Sequence, residues 1–92
     1  PDGITNSTLV KSFKLSPNPV RGVFSINYQF NSQEKATFKV FDVVGNHILV
    51  TELNELSGNK SFDVSKLDAG IYFYTVSNQN QLLKTQKFII SK

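Results

Sequence analysis

Apolar and polar residues alternate with a period of two along most of this chain, in short runs separated by turn residues. The clearest run is Val23-Phe24-Ser25-Ile26-Asn27-Tyr28-Gln29-Phe30, with Phe24, Ile26, Tyr28 and Phe30 on one side and Ser25, Asn27 and Gln29 on the other. Successive side chains of a strand point to opposite faces, so the run predicts a strand with one buried and one wet face. Ala36, Phe38 and Val40 make a second apolar side, opposite Thr37, Lys39 and Phe41. Val44-Gly45-Asn46 reads as a hairpin turn, since Gly and Asn tolerate positive φ at little cost. Ile48-Leu49-Val50 then starts a fourth strand whose parity the pattern leaves open. Residues 53–59, containing Gly58-Asn59, read as a loop.

Residues 62–76 organise the rest as strand, corner, strand. Phe62, Val64 and Leu67 give the first arm its apolar side, Asp68-Ala69-Gly70 reverses the chain, and Tyr72, Tyr74 and Val76 alternate along the second. Ser77-Asn78-Gln79-Asn80 signals another hairpin before a last strand at residues 82–90. Ahead of all this, Phe13 and Leu15 predict a short first strand that begins near Ser12 and is stopped by Ser16-Pro17-Asn18-Pro19. Neither proline has a backbone donor, so the segment is expected as an extended edge or a kink, not as a paired central strand. No stretch of ten or more residues has a helical period. About seven short, mostly antiparallel strands with closely spaced turn signals predict an all-β, immunoglobulin-like β-sandwich. A Tyr two residues past a corner glycine resembles the tyrosine corner of such sandwiches, and Tyr72 is the expected lock.

Composition narrows the picture. The 92 residues suffice for one domain with a modest two-layer core, and the 8 Phe and 3 Tyr supply its bulk. With no Cys, stability rests on packing, and Phe62→Ala is the substitution expected to abolish it. Lys and Arg exceed acids by ten to seven, for a net charge of +3. The basic residues form no run, however, and solvated strand faces explain them, so no nucleic-acid partner is expected. No apolar run approaches the roughly 20 residues of a membrane-spanning helix, and no membrane insertion is expected. Residues 1–11 are small and polar, as in a linker from a missing upstream domain, which leaves residues 12–92 as the folded unit.

The inventory for catalysis is thin. His47 is the only histidine; it sits beside a turn with no partner in sequence, and one His without Cys cannot supply a zinc set. The acids are dispersed without calcium-loop spacing, and Asp42 and Asp63 are placed to cap backbone donors. No phosphate loop or nucleophile elbow occurs. The expectation is a protein that is not an enzyme and needs no cofactor or metal.

Four segments in this order, Ser16-Pro17-Asn18-Pro19 followed by Gly22, Val40-Phe41-Asp42-Val43-Val44-Gly45, Asp63-Val64-Ser65-Lys66-Leu67-Asp68-Ala69-Gly70-Ile71-Tyr72 and Lys84-Thr85-Gln86-Lys87-Phe88-Ile89-Ile90-Ser91-Lys92, closely resemble one family. It is the type A C-terminal sorting domain of Bacteroidetes proteins exported by the type IX (Por) secretion system, and the likeness covers residues 13–92. It implies an immunoglobulin-like sandwich that follows a secreted cargo. That cargo crosses the periplasm and is directed by the domain through the outer-membrane translocon to the cell surface or beyond. A sortase-like C-terminal signal peptidase then removes the domain and can attach the cargo to anionic lipopolysaccharide.

On the matching positions, the family motif falls on Pro17, Asn18, Pro19, Gly22, Gly45, Leu67, Gly70 and Tyr72. Asn46 stands where members often carry Lys or Arg. These are expected to be mostly fold devices. Lys84, Lys87, Phe88, Ile89, Ile90 and Lys92 are the candidates for recognition by the translocon, through strand addition at a sheet edge. Parity adds a possible docking patch of Phe41, Ile71 and Phe73, outward-facing if Phe38, Val40, Tyr72 and Tyr74 are buried. The competing class is a carbohydrate-binding or adhesive sandwich appended to a secreted enzyme, with the aromatics as its platform.

Overall fold

The computed structural model describes residues 10–31, 35–78 and 81–92. Seven strands account for most of them: β1 (Val10–Arg21), β2 (Val23–Phe30), β3 (Ala36–Phe41), β4 (His47–Leu53), β5 (Ser57–Asp63), β6 (Gly70–Ser77) and β7 (Leu82–Ile90). They form two antiparallel sheets, β1-β2-β5 and β4-β3-β6-β7, joined where β1 meets β7 in a single parallel pairing, Val20 with Ile90. The all-β, sandwich-like architecture is the one the alternation predicts.

The inward residues of the two sheets meet in one core of aromatic rings. Phe24 of β2 lies 5.5 Å from Phe88 of β7 and 6.2 Å from Phe38 of β3, centroid to centroid. Phe62 packs 5.3 Å from Phe24 and 5.8 Å from Phe38. Phe13 reaches Phe38 and Tyr74 of the opposite sheet at 5.8 and 5.4 Å. Tilted and edge-on rings at these separations combine area burial with favourable quadrupole contacts. Phe62 itself is only half-buried, whereas Phe24, Phe38 and Phe88 are enclosed, so the decisive packing position shifts from Phe62 to those three.

β1 departs from the expected short strand. It begins at Val10, which puts Val10 and Lys11 of the expected linker into a strand, while residues 1–9 lie outside the described residues. It also runs through both prolines. Pairing with β2 is regular from Ser12 to Ser16 and then breaks until Arg21, so neither proline is asked for a ladder donor. In that gap the strand passes from one sheet to the other. Both Ser16-Pro17 and Asn18-Pro19 are cis.

The loop expected at residues 53–59 shrinks to residues 54–56. Leu53 is the last residue of β4 and is fully buried, and β5 starts at Ser57. Gly58 therefore acts as a strand glycine: the Tyr28 phenol lies over it so closely that a Cβ there would come within 2.7 Å of the Tyr28 oxygen. That ring position lets Tyr28 donate a 2.8 Å hydrogen bond to Glu55 Oε1. The Asn59 amide likewise donates across the ladder to Asn27 Oδ1 at 2.6 Å. Gln79 and Asn80 of the expected last hairpin lie outside the described residues, but Asn78 N donates to the Gln81 carbonyl at 2.9 Å and closes it.

The buried tyrosines make the fold sensitive to alkali. Tyr28 is pushed up to about 12 by burial, reinforced by Glu55, and Tyr74 to about 12 by burial alone, both from 10.0. A raised folded-state value means that stability is complete below pH 10 and falls as the pH rises from 10 through 12. Melting temperatures measured from pH 8 to 12 should therefore drop steeply above pH 10. Tyr74→Phe should make that drop shallower, and an unchanged slope would show that Tyr74 does not titrate late.

Candidate recognition site

Local contacts account for most of the family motif. Tyr72 donates its phenol hydrogen to the Asp68 carbonyl at 2.8 Å, four residues upstream, so the corner closes as expected. Leu67 packs half-buried against the core next to that corner, and Gly70 opens β6. Gly45 sits at φ +99 in the β3–β4 turn, a region costly for other residues. Asp42 holds the same turn: its Oδ1 accepts from the backbone N–H groups of Val44, Gly45 and Asn46 at 3.0, 3.0 and 2.9 Å, and its Oδ2 from the Asn46 amide at 3.0 Å. The Asn46 contacts lead in holding the Asp42 carboxyl below its usual range. Asn46, the departure from the family pattern, is thus a working part of the turn. Asp63 plays the smaller version, accepting from Ser65 N at 2.9 Å.

The proline segment has a long-range partner. Asn18 Oδ1 accepts the Ile89 N–H at 3.1 Å, and the Val20 carbonyl accepts the Ser91 N–H at 2.8 Å. Pro17 and Pro19 flank an exposed Asn18 that fastens the far end of β7. Gly22 follows at the β1–β2 junction, where its carbonyl accepts Val64 N–H at 2.7 Å.

β7 divides its candidates between two environments. Phe88 and Ile90 are 1% and 2% exposed and belong to the core, Phe88 stacking 6.0 Å from Tyr72. Ile89 and Lys87 are exposed, Lys84 is half-buried, and Lys92 Nζ donates to the Ser65 carbonyl at 3.0 Å. A receptor that meets the folded domain can touch Lys84, Lys87, Ile89 and Lys92. Phe88 and Ile90 instead hold the strand in place.

The three patch residues lie on the outer face of the same sheet. Phe41 stands opposite Phe73 across β3 and β6, Ile71 opposite Ile89 and Phe73 opposite Lys87 across β6 and β7. Ile71 is exposed, and Phe41 and Phe73 are half-buried. Patch and terminal strand are therefore one surface. Sequence reasoning missed two additions to it. His47 packs edge-on against Phe41 at 5.0 Å, and Val43 and Val44 at the neighbouring turn are 66% and 81% exposed. The outward parity of β3 and β6 signals the patch itself, but nothing local signals His47 or the turn valines.

Reaction chemistry finds little to use. Open depressions of about 340 and 300 Å³ among the described residues are lined by Ile48, Leu49, Val64 and Leu67 with Asp63 and Lys66, and by Arg21, Gly22, Ile90 and Lys92. Among the described residues no group of three or more His, Cys, Asp and Glu could hold a metal. No helix among them is long and apolar enough to cross a membrane. All three tyrosines are buried, and every phenylalanine is buried or half-buried.

Fold and site together define a small all-β module whose distinctive residues serve turns, a corner and a sheet edge. The family described as secretion system C-terminal sorting domain matches the chain over residues 14–91, and the chain belongs to it. It is a C-terminal sorting signal of the type IX secretion system, whose cargo is exported to the cell surface or secreted. The family is not an enzymatic one, and the carbohydrate-binding or adhesive reading is not favoured. No curated protein sequence matches the chain.

Proposed function

We propose that this domain carries a preceding cargo from the periplasm into the outer-membrane translocon by presenting β7 and the outer face beside it, and that a sortase-like C-terminal signal peptidase then cuts ahead of β1, between cargo and folded domain. The observation that supports this reading is the continuity of the surface: Phe41, Phe73, Ile71, Ile89 and Lys87 adjoin one another across β3, β6 and β7. A translocon component that grips this face touches the terminal strand at the same time. β7 is also open along much of its outer edge, which admits strand addition. The Asp42 turn and the Tyr72 corner serve by holding the strands in register.

The test uses a reporter fused ahead of the domain in a bacterium with a type IX system. Phe41→Ser with Phe73→Ser removes two half-buried rings that stand opposite each other across β3 and β6, each losing only part of the roughly 1.5–3 kcal/mol of a fully buried side chain. The expected result is a folded domain whose reporter accumulates in the periplasm. Normal surface delivery by a folded double variant would remove this face from the mechanism, and a melted one would assign the two rings to the core.

A further inference from the structure

The fold gathers six of the ten cations on or beside two strands, while Lys35, Lys39, Lys60 and Lys66 lie on or beside the others. Lys11, Lys14 and Arg21 lie on β1, Lys84 and Lys87 on β7 and Lys92 just beyond it, with no acid on either strand. Asp42, Glu52, Glu55, Asp63 and Asp68 all fall on or between β3, β4, β5 and β6. The two acid-free strands are also the ones that part company. They pair at Val20 and Ile90 only, after which β1 follows β2 and leaves residues 82–88 of β7 with no second strand partner among the described residues.

The groups left in that opening are suited to one kind of occupant. Ile89 turns its N–H toward β1, where Asn18 takes it. Donors two residues apart in a strand point the same way, so the N–H groups of Lys87 and Thr85 face the opening. Phe13, Leu15 and Leu83 lie half-buried beside it, packed against the core. Lys11 and Lys14 are exposed on β1 and Lys87 on the outer face of β7, so the cations flank the opening from both sheets, and Lys84 is half-buried. Main-chain donors call for another strand, the apolar floor for alternate apolar side chains, and the lysines for carboxylates between them. The other two edges are different: β4 carries Glu52 and no lysine, and β5 is largely polar, with Lys60 set against Glu55 and Asp63 on the strand itself.

We infer that the seam between β1 and β7 is a docking groove for an extended acidic peptide segment of the export machinery, which adds to β7 over residues 82–87 and is steered by Lys11, Lys14, Lys84 and Lys87. This deepens the sorting reading and rests on it for the source of the peptide. Asn18 and Val20 then set the end of the groove, because they already occupy the N–H groups of Ile89 and Ser91.

The probe is a short synthetic peptide alternating Glu and Val, added to the 92-residue chain while amide exchange is followed by NMR. Exchange at Thr85 and Lys87 should slow roughly tenfold or more, with binding that weakens as salt is raised. A peptide with Lys in place of Glu should have no effect. Lys11→Glu with Lys14→Glu should abolish the slowing while leaving Tm unchanged, a result that a contact confined to β7 would not give. Three outcomes overturn the inference: no slowing, slowing on β4 or β5 instead, or equal slowing by both peptides. Lysine-dependent binding to vesicles of anionic phospholipid without a peptide effect would also overturn it and reassign the strip to a lipid surface. Export of the reporter fusion is scored separately. If the unaltered fusion is delivered but the peptide result is negative, the seam fails and the sorting role stands; if the unaltered fusion is not delivered, the sorting role fails and amide exchange alone judges the seam.

Discussion

Deleting residues 88–92 is expected to leave a fused reporter in the periplasm and to unfold the domain as well. The segment contributes Phe88 and Ile90 to the core, and its Ile89 and Ser91 N–H groups donate to Asn18 Oδ1 and the Val20 carbonyl. Removing one large buried aromatic alone costs about 3–5 kcal/mol, and here a second core residue and the junction of the two sheets go with it. Circular dichroism of the truncated domain should show loss of cooperative melting. Surface delivery of the truncated fusion would overturn the sorting mechanism proposed above. Because folding and recognition fail together in this variant, Ile89→Asp is the informative companion: its side chain is exposed and faces Ile71 on the outer surface. It should melt near the unaltered domain yet impair export.

Phe38→Ala should have the second large effect. Phe38 is fully buried and lies within ring contact of Phe13, Phe24, Phe62 and Tyr74, so it bridges β3 to both layers. The cavity would cost about 3–5 kcal/mol, against a total stability of about 5–15 kcal/mol for a native domain. Chemical denaturation should show a lower midpoint or no folded baseline. Phe62→Ala, at a half-buried position, should cost less, and a larger loss there than at Phe38 would contradict the packing described.

Most of the fold could be read from alternation because the buried face of a strand leaves a period-two trace. β2 and β6 show it best: Phe24, Ile26, Tyr28 and Phe30, then Tyr72, Tyr74 and Val76, are all buried, with no inward polar residue among them. The misreadings fall where a tertiary partner overrides a local signal. Gly58-Asn59 is a turn dipeptide, yet Tyr28 needs a residue without a side chain beneath its ring. Leu53 had no clear alternation before it, because Ile48, Leu49 and Val50 are consecutive apolar residues and hide the parity of β4. The prolines were expected to end β1, but the break in pairing that they require coincides with a change of sheet.

The candidate site was legible in the same uneven way. The Tyr72 corner and the Asp42 turn close within four residues and carry their own signatures. The contact from Asn18 to Ile89 spans 71 positions, and the gathering of cations on β1 and β7 depends on which strands become neighbours. Neither leaves a trace in local sequence, since topology alone brings those residues together.

The fastening of β7 by Asn18 and Val20 has a temporal side. A contact between the first and last strands carries the greatest loop-closure cost in the fold and forms only when everything between has been made. The ladder from β1 to β2 can assemble on a growing chain, whereas the address surface cannot. A polypeptide interrupted before β7 would then lack the finished surface.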